Sequence, residues 1–483
     1  MRPGFVVTTF GKLVGVFALV AAGCSNPPDN ERADDGSAET GFAVSAPVDF
    51  GPAPSFSAGD PDPEIVALLA DFNSSLSLGL SQLTIVFEPE QLDRLVELGD
   101  TRVLWLLADL LRFPIEGSLD QGDVIDAFES LSGVTITDGG PAGENPWTNA
   151  SNRLIAWDTP AFPGYLESKR ALFTTLEPQW EPLFDSGADV DWRHVSWGGV
   201  LIDDRIVGDG ERCSRGCIPA LDDPVVTNAA GGDWYPDDAL VFGVEVNGEF
   251  RAYPKNMMEV HEMVNDTLGG RRIAIPYCTL CGSAQAYLTD ELPSGTIEGD
   301  ELPIMRTSGL LIRSNKMMFE LRTRSLVDTF LGTATSGPLQ GVAFEQVSVS
   351  TSTWGAWREA HPDTTILAED GGIGRQYSAD PLRGRDDDGP IFPIGAVDDR
   401  LPVQHAVLGV TTEEGRLVAV DVEVARQQLL GGDPISFEGI SIEVSDDGIR
   451  AVRDDGDDAG AHQAFWFAWS QFHPDTALWP TDF

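Results

Sequence analysis

Lysine is almost missing from this chain. Of 483 residues only Lys12, Lys169, Lys255 and Lys316 are lysine, and Lys and Arg together number 31 against 77 Asp and Glu. The resulting formal net charge of −46 repels phosphate backbones and anionic headgroups, which excludes nucleic-acid partners and electrostatic binding to membranes. So acidic and Lys-poor a surface suits solvation in high salt, although a GC-rich genome would give the same bias toward Arg. A long apolar run near the N-terminus is also lacking: Leu13 to Ala22 is too short to span a bilayer. No phosphate-binding loop and no Ser/His/Asp signature stands anywhere, and Asn265 occupies the place where a zincin motif opening at His261-Glu262 would need its second His. What is present is 42% apolar and 9% aromatic residues with 51 Gly and 32 Pro, the composition of a folded, loop-rich protein of two to four domains.

The N-terminus reads as an address. Arg2 and Lys12 precede the apolar run, which closes in Ala21-Ala22-Gly23-Cys24 and gives way to Ser25-Asn26-Pro27-Pro28. This resembles a lipobox, in which the Cys is lipidated and becomes the mature N-terminus. Residues 1–24 are therefore expected to be a lipoprotein signal peptide, with Cys24 as the anchor. A plain secretory signal with an incidental Cys is the alternative. Either places the mature chain outside the cytosol, and the lipid would be its sole contact with the membrane. Residues 25–63, rich in Pro, Asp, Ser and Gly, read as a disordered tether.

From 64 to 190 apolar residues recur at helical spacing, as in Ile65, Leu68, Leu69 and Phe72, and two short helices meet at Gly99-Asp100. After about Asp189 short β-type runs alternate with turns. Landmarks then repeat. Gly243-Val244 and Ala252 have counterparts in Gly409-Val410 and Ala419, each followed by a helical stretch and a Gly pair, Gly269-Gly270 and Gly431-Gly432. Trp354, Trp357 and His361-Pro362-Asp363-Thr364 recur as Trp466, Trp469 and His473-Pro474-Asp475-Thr476. The expected fold class is α+β: a helical N-terminal region followed by a duplicated β-rich α+β module, with a first module at 191–370 and a second, degenerate one at 400–483.

The duplication acts as an internal control. His361 and His473 stand in both copies and read as scaffold. Only the first copy carries His261-Glu262 and Cys278-Thr279-Leu280-Cys281. Met257, Val260, His261, Val264 and Leu268 place His261 on the apolar face of a helix expected to run to Leu268, where a buried core histidine is the plain alternative. Apart from Cys24 the cysteines form two pairs. Cys213 and Cys217, in a polar loop of an exported chain, are expected to form a local disulfide. The CxxC is open between a structural disulfide, a redox-active dithiol, and two thiolate ligands for Zn or Cu completed by His261. The candidate catalytic set is thus His261, Glu262, Cys278 and Cys281, and the candidate metal set His261, Cys278 and Cys281. A strand running back from a helix ending near Leu268 would carry Cys278 roughly 10 Å past His261, at ~3.3 Å per strand residue and ~1.5 Å per helix residue, unless a turn at Pro276 brings the CxxC back, so contact is allowed but not required. A non-catalytic surface binding protein with the CxxC as a staple is the competing class, and the small-molecule or protein partner is unspecified in both.

Taken together, Ile218-Pro219-Ala220-Leu221-Asp222-Asp223-Pro224, the run from Gly243 to Pro254, His261-Glu262 with Asn265-Asp266, Tyr277-Cys278 with Leu280-Cys281-Gly282, Ser308 to Leu311 with Ser314-Asn315, and Trp354 with His361 to Thr364 resemble a bacterial and archaeal family of unknown function, numbered 3179. The resemblance covers about 198–366 well and implies no reaction. The family pattern has Trp, Pro, Tyr-Asn and Trp-Ser-Gln where this chain has Val260, Thr279, Ile312-Arg313 and Val327-Asp328-Thr329.

Overall fold

A computed structural model describes residues 49–483 except 80–83, 117–119, 138–144, 208–212, 214, 298–300 and 385–389. The signal segment, Cys24 and most of the tether lie outside the described residues. From residue 49 the segment expected as tether is bonded to the fold: Trp157 donates to the Gly51 carbonyl, and Arg102 to that of Gly59.

Among the described residues six helices come first: Pro63–Ser75, Pro89–Leu98, Leu104–Arg112, Gln121–Ser132, Pro146–Ala156 and Tyr165–Leu176. Their starts follow local chemistry. Asp62 caps the first, with Pro63 at its first turn, and Asp120 and Asp123 form a reciprocal capping box on the fourth. Helix Leu104–Arg112 is the centre, its residues Leu104 to Leu111 all buried. Asp109, in the middle of that face, is matched by the buried Lys169 and Tyr165.

Among the described residues the strands form five sheets of three to six strands, besides a two-stranded ribbon, and these are the blades of a five-bladed β-propeller. This overturns the expectation of a helical N-terminal region followed by a duplicated α+β module. The helices are no separate region, because one core joins them to Val195, Trp197, Leu310, Met317, Phe319 and Leu326 of the sheet built on strands Val195–Trp197, Met305–Ile312, Asn315–Glu320, Leu326–Asp328 and Thr333–Ala334. The repeated landmarks mark blades of like wiring. Strands Val349–Thr353, Leu240–Val246, Glu249–Pro254 and Thr365–Leu367 pair antiparallel, antiparallel and parallel in that order. Strands His462–Phe465, Ala406–Thr411, Leu417–Asp421 and Ala477–Trp479 do the same.

The conserved spacing between the two sets of landmarks has a steric cause. A Cβ on Gly243 would lie 2.2 Å from the Trp357 ring and one on Gly409 1.9 Å from the Trp469 ring, so each strand glycine makes room for an indole. Each indole then donates to a threonine hydroxyl, Thr364 or Thr476, at 2.9 Å. The two Gly pairs are not equivalent. Gly269-Gly270 turns a hairpin between strands Met263–Leu268 and Arg271–Cys278, whereas Gly431-Gly432 ends helix Val422–Leu430. Residues between the two expected modules do not act as a spacer: the backbone amides of Ile394 and Gly395 both donate to Asn152 Oδ1 at 2.7 Å.

Candidate dithiol site

The expected helix through Leu268 stops early. Helix Lys255–His261 ends at His261, Glu262 takes a left-handed backbone (φ +53°), and Met263–Leu268 is a strand. That strand is antiparallel to Arg271–Cys278 with Met263 opposite Pro276, and the Tyr277 amide donates to the Glu262 carbonyl at 3.0 Å. A hairpin has equal rise on both arms, so Cys278 returns to the end of the helix and the expected overshoot disappears.

Cys278 then enters a 3-10 turn, Thr279–Cys281, closed by Gly282 at φ +57°. The Phe465 ring lies where a Gly282 Cβ would sit, 2.9 Å away, which brings the second of the like-wired blades against the turn. Both cysteines are free thiols and buried, 3% and 0% exposed. Their sulfurs contact one acceptor, the Ser314 carbonyl, at 3.7 Å for Cys278 and 3.4 Å for Cys281. Ser314 occupies the two-residue turn Arg313-Ser314 between strands Met305–Ile312 and Asn315–Glu320. Two residues on, Lys316 forms an ion pair with Glu262, and both side chains are largely buried.

The two thiols are driven apart in acidity. Burial pushes Cys278 up, but a hydrogen bond from Cys281 and the positive charge of Lys316 more than reverse this and leave it below an ordinary thiol. Cys281 is pushed well above the ordinary range by burial and by its neighbour Cys278. The arrangement therefore has a thiolate former and a proton donor three residues apart. Three buried polar atoms without a hydrogen-bond partner stand on neighbouring residues: the hydroxyls of Ser283 and Ser314 and the amide oxygen of Asn315. Ser283 is the cross-strand partner of Cys278. Bare polar atoms of this kind are rare in native interiors.

His261 is buried at the same helix end, yet its ring is committed elsewhere. Nδ1 lies 2.7 Å from the Pro219 carbonyl and Nε2 2.7 Å from the Tyr377 hydroxyl. Among the described residues no group of three ligand atoms within 4.8 Å contains His261, Cys278 or Cys281, so the structure brings Glu262 and the two cysteines around Lys316 and leaves the imidazole outside. Burial lowers the His261 pKa to about 4. Because the unfolded ring titrates near 6.5, the neutral form stabilises the fold fully above that pH, and this contribution is lost as pH falls towards 4. A His261→Gln variant should consequently lose stability less steeply than wild type between pH 6.5 and 4, by up to about 3 kcal/mol in urea titrations at the two ends. Parallel pH profiles for the two proteins would sink this assignment.

Cys213 and Cys217 form a disulfide with Cα atoms 5.3 Å apart. The Asp203 carboxylate is close enough to both sulfurs for all three to fall within 4.8 Å. Oxidised sulfurs offer no thiolate, and Asp203 already accepts from Arg205 and the Ala220 amide. His361 stacks on Phe250 and lies tilted against Trp357, and His473 packs on Trp469.

Sequence reasoning missed Lys316, Ser314 and Tyr377. A signal for Lys316 existed, since it is one of four lysines in a chain that otherwise uses Arg. Tyr377 arrives from outside both repeats and carries none. No curated protein and no solved structure matches the chain. A family model described as protein of unknown function (DUF3179) matches residues 215–456, which runs past the first set of landmarks and into the second as far as Gly431-Gly432, short of Trp466. With about half of its length matched, the chain belongs to that family.

Proposed function

We propose that Cys278 and Cys281 are a thiol–disulfide redox couple in an exported, lipid-anchored protein. The observation that carries this reading is geometric: two free, buried thiols three residues apart share the Ser314 carbonyl beside the buried Lys316–Glu262 ion pair. In the step envisaged, the Cys278 thiolate attacks a partner disulfide and expels one partner thiolate. Cys281 then loses its proton, attacks the Cys278 sulfur and expels the second, so two electrons pass to the partner and a Cys278–Cys281 bond remains. Access requires movement at the CxxC turn, because both sulfurs are buried. Treatment of the anaerobic protein with oxidised glutathione should consume two thiols per chain and yield a Cys278–Cys281 peptide.

The burial itself favours a second reading, in which the CxxC is a structural staple of a binding protein. That reading wins if the aerobically purified native chain shows no free thiol and its CxxC resists reduction until the protein unfolds. Two sulfurs of this kind also suit Zn or Cu, and elemental analysis of the same preparation tests for either.

Anchoring rests on the sequence around Cys24. A Cys24→Ala variant should lose lipidation and move wholly to the aqueous phase in detergent partitioning, whereas retention in the detergent phase would refute the anchor.

A further inference from the structure

The turn that carries Ser314 to the dithiol also carries Arg313, which faces the helical side. A small open cavity lies there between helices Leu104–Arg112 and Pro146–Ala156 and strand Val195–Trp197, lined among others by Trp105, Asp109, Trp147, His194, Ser196 and Arg313. It has room for roughly one or two water molecules. The acids around it are already matched. Asp109 accepts from Lys169 and Tyr165, and Asp191 is bidentate to Arg193, which also reaches the exposed Asp158. Arg313 differs. Among the described residues it has no carboxylate partner, and its one guanidinium contact is a long one, 3.4 Å to the Gln471 carbonyl. That is notable in a chain with 77 acidic residues.

Two further features converge on the same spot. The Ser196 hydroxyl, on the same cavity wall, is buried with no partner among the described residues, so a bare hydroxyl stands beside the unmatched Arg313. Arg313 also stands at φ +52°, a left-handed conformation that costs an arginine energy and that glycine or asparagine would adopt more readily. The strained backbone is held by the Arg313 amide donating to the His194 carbonyl at 2.7 Å. A second arginine, Arg112, lies behind the cavity wall with its guanidinium 4.4 Å from the Trp147 ring and, among the described residues, likewise no acid. An excess of positive charge and a bare hydroxyl in a pocket of this size match one ligand chemistry.

We infer that this cavity is a binding site for a small monovalent anion of chloride or formate size, held by the Arg313 guanidinium and the Ser196 hydroxyl. The site stands apart from the dithiol reading, and a Cys278→Ser chain should bind the anion as wild type does. The full chain, titrated with sodium chloride at constant ionic strength made up with gluconate, should show a melting temperature that rises and saturates. A rise of about 1 to 3 °C at tenfold over the dissociation constant is expected. Formate should reproduce the effect, and sulfate, too large for the cavity, should not. Arg313→Gln should abolish the saturating rise and Ser196→Ala weaken it. Crystals grown in sodium bromide should carry an anomalous peak within hydrogen-bond distance of Arg313, a result that stands even if the Arg313 variant fails to fold. Equal responses to chloride and sulfate, or a bromide-free cavity, would overturn the site.

Discussion

Lys169→Met should cost about 3 to 5 kcal/mol of stability, more than any other single polar substitution in the helical part. Lys169 is fully buried, and its Nζ lies 2.7 Å from Asp109 Oδ1 and 2.9 Å from the Tyr165 hydroxyl, which itself donates to Asp109 Oδ2 at 2.6 Å. Burial opposes both charges, raising the Asp109 carboxyl and lowering the Lys169 ammonium. What sustains the pair is that each member satisfies the other, so removing one leaves a buried acid that must take up a proton or stay uncompensated. The converse distinguishes this account from simple loss of packing. The triple change Asp109→Leu, Tyr165→Phe and Lys169→Met removes every polar group at once and should recover most of the loss, because apolar groups of similar volume need no partners. Urea unfolding measures both. A single variant costing less than about 1 kcal/mol, or a triple variant no better than the single, would show that the triad is not a self-satisfied unit.

The helical elements were legible because their signals are local. Asp62 and Pro63 start a helix, Gly99 at φ +72° ends one, and Ile65, Leu69 and Phe72 are buried as their spacing demands. The blades were legible as strands but not as blades. Leu221–Asp222 pairs parallel with Met263–Leu268, and Thr365–Leu367 with Glu249–Pro254, contacts across more than 40 and more than 100 residues that no local pattern encodes. The misread at His261 has a particular cause. Met257, Val260, His261, Val264 and Leu268 satisfy a helical period, yet five of the six residues of strand Met263–Leu268 are buried, and a short strand buried on both faces shows no alternation to set against that period. A helix through Leu268 would have left Cys278 past His261, whereas the left-handed Glu262 sends its own side chain to Lys316 and leaves the imidazole to Pro219 and Tyr377. The asymmetry between the repeats still located the neighbourhood, because a residue pair confined to one of two like-wired halves is not required by the wiring.

Cys278→Ser should remove thiol–disulfide exchange altogether, while Cys281→Ala should leave a chain that forms a mixed disulfide and cannot resolve it. The difference follows from the roles proposed for the two sulfurs. Cys278 owes its lowered pKa to the hydrogen bond from Cys281 and to Lys316, so alkylation of Cys278 should reach half its maximal rate at a pH below the ~8.5 of a free cysteine. Deleting the donor in Cys281→Ala should move that midpoint up, and Cys281→Ser, whose hydroxyl can still donate, should move it less. Lys316→Met should also raise it, with the added cost of leaving Glu262 without its cation. These shifts are readouts that a staple would not produce, since a structural disulfide has no thiolate to titrate. Stability should fall by no more than about 1 to 3 kcal/mol in either cysteine variant, the loss of one buried polar contact. If Cys281→Ser unfolds outright, or if the Cys278 alkylation profile is the same in wild type, Cys281→Ala and Lys316→Met, the two thiols do not act on each other and the redox assignment fails.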